Sequence, residues 1–394
     1  MRPRTSLAAL GAAALTALAL TGAATQAGAS PATAGAAAAP TAQHTRVCAQ
    51  APVGFAACHA IRVDGTAVSP LVAGYGPADL RSAYNLTSSG SPSQTIAIVD
   101  AFDDPNAESD LAVYRSNFGL PACTTANGCF RKVDQNGGTH YPRRNTGWAE
   151  EISLDVDMVS AICPTCHILL VEATTNSFTN LGTAVNRAAT MGANAISNSY
   201  GSSSDVSDGS LGAYYNHPGI AVTASSGDNG FGVSYPASSH YVTAVGGTHL
   251  VRDGSSRGWG ETAWSGAGSG CSTLNIALSG QASFNTGCAG RAVADVSAVA
   301  DPATGVAVYD TFREPGWLVF GGTSVSSPII ASVYGLAGNE STIDNNYPYT
   351  HYTGNFFDVT SGSNGSCSPS QLCTARVGWD GPTGLGTPNG TGGF

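Results

Sequence analysis

The amino-acid sequence predicts an α/β fold with a mostly parallel central sheet flanked by helices. Short runs rich in β-branched residues recur between residues 94 and 245, helical stretches separate them, and polar or glycine-rich segments follow the strands. Strands that alternate with helices of this length are typical of parallel sheets, in which the chemistry sits at the carboxyl ends of the strands. The segments that follow the strands are therefore the places to search for a functional site.

The first 29 residues have the layout of a cleaved secretory signal peptide. Arg2 and Arg4 precede an apolar run at residues 7–20, and small residues occupy positions 27–29. The apolar run is shorter than the roughly 20 residues that a membrane-spanning helix needs. We therefore expect a secreted, extracellular protein without membrane association after signal cleavage.

The rest of the chain divides into a short leader and one large domain. The leader, residues 30–70, begins with a stretch rich in Ala, Pro and Thr and ends with a small segment that contains Cys48 and Cys58. Residues 71–394 are long enough to form a single large domain.

The ten cysteines predict disulfide bonds, because an even number in an exported chain favours them. Cys163 and Cys166 also have the spacing of a redox or zinc motif, but neither a thioredoxin-like unit nor a second pair at similar spacing is visible. From proximity along the chain we predict five local bridges: Cys48–Cys58, Cys123–Cys129, Cys163–Cys166, Cys271–Cys288 and Cys367–Cys373.

The elements of the large domain follow from the same patterns. Buried parallel strands are predicted where short apolar runs end at polar residues, at residues 94–99, 168–171, 195–199, 220–224 and 241–245. Helices are predicted between them, at residues 148–161 and 180–191.

The charge balance is acidic, with 16 Lys and Arg against 26 Asp and Glu and a formal net charge of −10. Lys132 is the only lysine, and the sequence has no basic patch. Nucleic-acid binding is therefore excluded as a function class.

The motif Gly-Gly-Thr-Ser at residues 321–324 precedes an apolar run. Two glycines allow a tight turn, and a serine at the start of a helix lies near free N–H groups. Pro328 suits the first turn of such a helix. Ser324 is thus a candidate nucleophile, although similar motifs also cap ordinary helices.

Glu151 and Asp155 are spaced i, i+4 on a predicted helix, which places both carboxyl groups on one face. A catalytic pair could use this arrangement to take a proton from a serine and share its charge. A solvated acidic face that includes Glu150 and Asp157 is the structural alternative.

Asp228 lies in the segment Ser-Ser-Gly-Asp-Asn-Gly, at residues 225–230, after a predicted strand. A carboxyl group held there could point at a reacting carbonyl. The alternative is a simple turn, because Asp, Asn and Gly are common turn residues.

Together these three segments resemble the sedolisins, or serine-carboxyl peptidases, which share the subtilisin fold. Three further motifs strengthen the resemblance: Tyr-Gly-Pro-Ala-Asp-Leu at residues 75–80, Ser-Asn-Ser-Tyr-Gly at 197–201 and Ala-Val-Gly-Gly-Thr at 244–248. The motifs occur in family order. The resemblance implies a subtilisin-like three-layer fold and a monomeric, secreted endopeptidase that acts on proteins or peptides.

Carried over residue by residue, the resemblance implies that Ser324 is the nucleophile, Glu151 the general base and Asp155 its partner. It places Asp228 in the oxyanion hole and assigns substrate binding to the strand that contains Ser199, Tyr200 and Gly201. A carboxylate base works while ionised, whereas Asp228 donates a hydrogen bond only when protonated, so the resemblance implies activity at acidic pH.

The end of the chain resembles the calcium-binding terminus of the same family, which implies one structural Ca²⁺ ion. Its ligands would be the carboxylates of Asp358 and Asp380 and the backbone carbonyls of Val359, Arg376 and Gly378. All of these are the hard oxygen ligands that calcium prefers. The alternative is a surface loop held by the Cys367–Cys373 bridge.

Two other functions fit parts of the sequence. Asp100, His140 and Ser324 could form a subtilisin-type triad that works at neutral pH, but His140 lies in a glycine-rich loop without a following helix. Alternatively, the chain could be an exported binding protein that keeps the fold without turnover. Sedolisins usually carry a long N-terminal pro-region, whereas here about 40 residues separate the predicted signal from the mature-like start.

Overall fold

A computed structural model describes residues 43–65, 72–202, 204–339, 342 and 344–394. The predicted signal peptide and the first part of the predicted leader lie outside these residues. In the part of the chain that the structure describes, no helix is long and apolar enough to cross a membrane.

The described residues form strands of very different length. In chain order the strands are β1 (Gln43–Arg46), β2 (Ala57–Cys58), β3 (Ile61–Asp64), β4 (Thr95–Ala101), β5 (Phe130–Asp134), β6 (His167–Ala173), β7 (Ala195–Asn198), β8 (Tyr200–Gly201), β9 (Ala221–Ser225), β10 (Thr243–Arg252), β11 (Trp259–Ala263), β12 (Gly270–Cys271), β13 (Ala292–Val293), β14 (Val296–Val299), β15 (Val306–Asp310), β16 (Gly316–Gly321), β17 (Phe356–Phe357) and β18 (Thr387–Pro388).

The helices include two long ones that meet at the centre of the molecule. In chain order the helices are α1 (Pro77–Ala83), α2 (Ala107–Asn117), α3 (Thr146–Ile162), α4 (Phe178–Thr190), α5 (Asp208–Leu211), α6 (Thr323–Ala337) and α7 (Tyr347–Thr350). Helices α3 and α6 pack against each other.

The central sheet has the strand order β11-β10-β9-β7-β4-β6-β5, with β14 beside β10. All pairs are parallel except the β10–β11 hairpin. Alternate residues of β4 face opposite sides, as strand geometry requires: Ile96 and Ile98 pack in the core with α3 and α6, and Ala97 and Val99 in the core with α4. The predicted α/β class and three-layer architecture are confirmed.

The predicted elements of the large domain are present with small shifts at their ends, and all five predicted disulfides are formed. The prediction for Pro328 was wrong: α6 begins at Thr323, so the proline lies inside the helix rather than in its first turn. The strand predicted to end at Val245 continues to Arg252, because its second half pairs with β14 and β11.

A second sheet covers the carboxyl end of the central one. Its order is β1-β3-β16-β15, and β16 leads directly into α6. Residues Ile61 and Arg62 of β3 pair with Gly321 and Phe320. The segment of residues 43–65, which includes β1 to β3, therefore packs against the start of α6.

Candidate active site

The turn between β16 and α6 presents Ser324 at the second position of the helix. Gly322 has a φ of +95°, a conformation that side chains rarely adopt. A β-carbon there would lie 1.8 Å from the carbonyl oxygen of His59 and 2.9 Å from Asp228 Oδ2. Glycine at this position therefore allows three segments to converge beside Ser324.

The position of Pro328 affects the same turn. A proline cannot donate to the carbonyl four residues earlier, which here is the carbonyl of Ser324. That oxygen instead faces the Ser199 hydroxyl at 3.4 Å. Ser324 Oγ in turn donates to the Ser199 carbonyl at 3.1 Å, so the two serines hold the first turn of α6 against the segment between β7 and β8.

Helix α3 brings Glu151 and Asp155 into the interior, where both side chains are fully buried. The Ser199 hydroxyl donates to Asp155 Oδ1 at 2.9 Å, and the Ala60 N–H donates to Glu151 Oε2 at 3.0 Å. Among the described residues, the second oxygen of each carboxyl group accepts no hydrogen bond. The solvated acidic face that the sequence left open is not present.

Burial raises the pKa of Glu151 well above its ordinary value, and the neighbouring Asp100 and Asp228 raise it further. The nearby Ser324 hydroxyl acts in the opposite direction and lowers the pKa of Glu151. In this structure Ser324 Oγ donates to the Ser199 carbonyl, so a proton transfer to Glu151 requires the hydroxyl to turn away from that carbonyl.

Asp100 is a third buried carboxyl group at this site. It is the penultimate residue of β4, which packs next to α3, and burial raises its pKa to about 8. Its charge raises the pKa of both Glu151 and Asp155, after the larger effect of burial. Among the described residues its two oxygens have no hydrogen-bond partner.

The subtilisin-type triad is not assembled around Asp100. His140 is an exposed residue in the loop after β5, and its backbone N–H donates to Asp134 Oδ2. Ser324, by contrast, is fully buried. No described histidine donates to Asp100.

Asp228 follows β9 and reaches the start of α6. Its Oδ1 accepts hydrogen bonds from the N–H and the hydroxyl of Thr323, both at 2.8 Å. Burial raises its pKa to about 6, although the Thr323 N–H and the Arg46 guanidinium act in the opposite direction. Asp228 Oδ2 accepts no hydrogen bond from the described residues and lies beside the His59 carbonyl at Gly322.

The predicted substrate-binding strand is occupied by the segment of residues 43–65. Ala57 and Cys58 pair antiparallel with Gly201 and Tyr200, and the His59 N–H donates to the Ser199 carbonyl at 3.2 Å. The His59 ring lies 2.7 Å from Ser225 Oγ through Nδ1. Burial, followed by the nearby Arg46, lowers the pKa of His59 to about 3, so the ring is neutral except in strong acid.

Hydrogen bonds link four of the predicted calcium-ligand residues in pairs, Asp358 with Gly378 and Asp380 with Arg376. Asp380 is fully buried and accepts hydrogen bonds from the Arg376 and Thr383 N–H groups, both at 3.0 Å. Asp358 accepts a hydrogen bond from the Gly378 N–H at 2.9 Å. Burial raises the pKa of Asp380, and the neighbouring Asp358 raises it further. Two neighbouring carboxyl groups in a loop of backbone carbonyls are a donor set that fits Ca²⁺.

No ion pair between described residues involves Asp358 or Asp380. The described residues also contain no group of three or more His, Cys, Asp and Glu side chains that could hold a metal. The predicted calcium site differs from such a group of side chains, because its ligands are two carboxylates and three backbone carbonyls.

The chain is similar in sequence and in structure to known proteins. Kumamolisin from Bacillus sp. (strain MN-32) is 30% identical over 355 residues, which cover 80% of this chain and 62% of kumamolisin. A similar solved structure is that of Pseudomonas sedolisin, a serine-carboxyl proteinase, complexed with two molecules of pseudo-iodotyrostatin. The match covers 81% of this chain and 96% of the sedolisin chain, with 25% sequence identity and a TM-score of 0.66. These similarities support the sedolisin family for this chain.

Other sedolisin relatives match over shorter stretches. Tripeptidyl-peptidase 1 from Dictyostelium discoideum is 29% identical over 206 residues, which cover 43% of this chain and 32% of that protein. This chain thus spans less than two thirds of the length of either curated relative. No family model matches the chain.

The structure brings together the four predicted catalytic residues, but the sequence analysis missed their partners from residues 43–65. Arg46, His59 and Ala60 all contact Asp228, Ser225 or Glu151. The available signal was the Cys48–Cys58 bridge followed by the alternating run of residues 60–64. This signal indicated a stapled segment but not where it would dock.

Proposed function

We propose that this sedolisin hydrolyses peptide bonds in proteins through an acyl-enzyme on Ser324. The observation that supports the proposal most strongly is the convergence of four residues from separate segments. Ser324 comes from the start of α6, Glu151 and Asp155 from α3, and Asp228 from the turn after β9. Structural needs alone give no reason to bury three acidic side chains next to a serine, because burial of each charge is costly.

The proposed reaction begins when Ser324 Oγ attacks the substrate carbonyl carbon and its proton passes to Glu151. Asp155 shares the charge and proton of Glu151, and Asp228 donates its carboxyl proton in a hydrogen bond to the developing oxyanion. The C–N bond then breaks, and the amine leaves with the proton that Glu151 held. Water hydrolyses the ester by the same steps, which restores Ser324.

Acidic conditions favour this protonation pattern. Asp228 is the acid that donates to the oxyanion, and it is protonated below its pKa of about 6. Glu151, Asp155 and Asp100 have raised pKa values and neighbouring charges, so they exchange protons as a coupled set. At acidic pH such a set retains protons while one carboxylate serves as the base.

Other parts of the chain support proposals about the location of the enzyme, its substrate binding and its metal ion. Five disulfides suit an extracellular location. We further propose that Ser199, Tyr200 and Gly201 bind the substrate backbone and that the enzyme acts as a monomer. One Ca²⁺ ion held by Asp358, Asp380 and the carbonyls of the C-terminal loop would stabilise the fold.

The test is hydrolysis of a fluorogenic peptide library from about pH 3 to about pH 8 by the parent and by Ser324→Ala. Ser326→Ala is the matched control, because Ser326 is equally buried on the same turn and donates only to the Thr323 carbonyl. We expect activity in acid that Ser324→Ala abolishes and Ser326→Ala retains. Equal hydrolysis by a folded Ser324→Ala variant would rule out Ser324 as the nucleophile.

A further inference from the structure

Asp228 and Thr323 are joined by a set of hydrogen bonds where the turn after β9 meets the start of α6. Asp228 Oδ1 accepts from the N–H of Thr323 and from its hydroxyl, both at 2.8 Å. The Thr323 hydroxyl in turn accepts from the Gly227 N–H at 3.1 Å. Both side chains are buried, so these bonds hold the carboxyl group of Asp228 in one orientation.

The direction of each of these hydrogen bonds follows from the donors that are available. A threonine hydroxyl has one hydrogen, and a backbone N–H can only donate. Because the Thr323 hydroxyl oxygen receives the Gly227 N–H, the hydroxyl hydrogen is the one that points to Asp228 Oδ1. Thr323 therefore directs both of its donors at the same oxygen of Asp228.

The two oxygens of Asp228 are consequently unequal. A protonated carboxyl group has one carbonyl oxygen, which accepts hydrogen bonds, and one hydroxyl oxygen, which carries the proton. The oxygen that already receives two donors is the better placed carbonyl oxygen, so the proton belongs on Oδ2. Among the described residues Oδ2 accepts no hydrogen bond, and a β-carbon on Gly322 would lie 2.9 Å from it. The acid proton is thus on the side of Asp228 that faces the turn before Ser324.

The charged and titratable groups around Asp228 come from two other elements and from residue 59. From β1, Arg46 places Nη1 at 3.8 Å from Oδ2, and its charge favours the ionised carboxylate. From α3, Glu151 is close enough for Asp228 to raise its pKa, after the larger effects of burial and Asp100. The His59 ring bonds Ser225 instead. These groups are the same in every variant of Thr323, so a comparison of such variants isolates the effect of its hydroxyl.

We propose that Thr323 is a positioning residue that directs the acid proton of Asp228 to Oδ2, from which it is donated in a hydrogen bond to the oxyanion. The inference rests on the proposed peptidase function and adds a residue that acts only through Asp228. The proton remains on the carboxyl group throughout this step. Without the Thr323 hydroxyl, the proton also occupies Oδ1, and part of the molecules then present a lone pair instead of a donor to the oxyanion.

The same hydrogen bonds affect the ionisation of Asp228. Donors to a carboxylate favour its ionised form. Burial raises the pKa of Asp228 to about 6, whereas the N–H of Thr323, the Arg46 guanidinium and the Thr323 hydroxyl each lower it. Removal of the hydroxyl should therefore raise this pKa and move the alkaline limit of activity to higher pH, even though the rate falls. A loss of packing alone lowers the rate without such a shift.

The first experiment measures kcat and KM from about pH 3 to about pH 8 for the full-chain parent and for Thr323→Val, which resembles threonine in shape. We expect kcat at the acidic optimum to fall about tenfold while KM stays within about twofold, because the hydrogen bond acts on the transition state. The alkaline limb should move upward by about one pH unit. Thr323→Ser keeps the hydroxyl and should restore both values.

Two further variants serve as controls for this experiment. Thr243→Val also removes a buried threonine hydroxyl, but that hydroxyl bonds Tyr334 Oη towards the other end of α6, so its profile should match that of the parent. In an Asp228→Asn background, Thr323→Val should no longer move the alkaline limb, because asparagine does not ionise.

A folded Thr323→Val variant with the alkaline limb of the parent would overturn the proposal. A Thr323→Ser variant that loses as much activity as Thr323→Val would also overturn it. If Thr323→Val does not fold, Thr323→Ala takes its place with the same expected shift, because it lacks the hydroxyl and adds no bulk.

A second measurement does not depend on turnover. In a Ser324→Ala background, the Tm that Thr323→Val loses relative to its parent is measured at about pH 4 and at about pH 7. A hydrogen bond to an ionised carboxylate is the stronger one, so the loss should be larger at the higher pH. Equal losses overturn the proposal. A larger loss at the higher pH, without hydrolysis by any variant that has Ser324, would support the hydrogen bond but refute the peptidase function on which the proposal rests.

Discussion

At the scale of single residues, burial controls the protonation of every acid around Ser324. Asp100, Glu151 and Asp155 have no exposed surface. After the larger effect of burial, Asp100 raises the pKa of both Glu151 and Asp155, and Glu151 raises that of Asp155. Desolvation and like charges act in the same direction here, towards the neutral acid. The three carboxyl groups therefore titrate as a coupled set rather than as independent acids.

Glu151→Gln and Asp155→Asn should each reduce kcat/KM by about 10² to 10⁴, because an amide cannot accept the serine proton or share the charge. Since the two residues act as a unit, the double variant should lose less than the sum of the single losses in free energy. A double-mutant cycle measures this directly. Asp157→Asn is the control on the same helix, because its carboxyl group is equally buried but accepts from the Tyr309 N–H. Strict additivity would contradict a coupled pair.

We expect the ionisation of Asp228 to set the alkaline limit of activity. It donates to the oxyanion only while protonated, so activity should fall as the pH rises through its pKa of about 6. Asp228→Asn donates through its amide at any pH. It should be slower at the acidic optimum yet retain a larger share of its activity towards neutral pH. Profiles of kcat/KM against pH test this, with folding checked at each point. Alkaline limbs at the same pH in parent and variant would refute the role of Asp228.

At the scale of elements, helix α3 shows what the sequence could and could not reveal. Its i, i+4 carboxyl groups and apolar neighbours predicted a helix at residues 148–161, close to the observed Thr146–Ile162. The same pattern fitted a solvated acidic face, because local spacing does not report burial. Only tertiary packing, against α1, α2, α6 and β15, buries the helix on all sides.

Elements that depend on distant partners were the ones the sequence missed. Strand β14 has four residues, and its pairing with β10 decides its conformation. The leader was predicted as a stapled segment apart from the large domain, whereas β3 pairs with β16, more than 250 residues later in the chain. Local periodicity in the sequence does not report which distant strand either element pairs with. By contrast, the site residues Ser324, Glu151 and Asp228 each lie in a short motif that can be recognised locally.

The C-terminal loop provides a prediction at the same scale. An ion that binds only the folded state stabilises it by mass action. A chelator should therefore lower the Tm of the parent, and excess Ca²⁺ should restore it. Asp380→Ala should have a lower Tm that no longer responds to either treatment, because Asp380 is the buried ligand. The measurement is a thermal melt of both proteins with and without chelator. A parent whose Tm does not respond would refute the calcium site.

At the scale of the whole molecule, buried carboxyl groups outside ion pairs determine how stability depends on pH. Burial raises the pKa of Asp100 to about 8, that of Asp104 to about 7 and that of Asp310 to about 8. In the unfolded chain these groups have pKa values near 4. The folded state therefore binds more protons than the unfolded state between about pH 4 and about pH 8, and its stability falls as the pH rises through this window.

This linkage predicts an acid-stable protein and can be tested at Asp100. The contribution of a group with a raised pKa is fully present below the unfolded value and is lost as the pH rises through the folded value. In a Ser324→Ala background, which prevents self-digestion, the Tm should decrease from about pH 4 to about pH 8. Asp100→Asn cannot ionise, so its Tm should decrease less and exceed that of its parent at the alkaline end. Asp344→Asn, at an exposed position, serves as the control and should follow the parent. If Asp100→Asn shows the same decrease as the control, ionisation of Asp100 does not limit the stability of the fold.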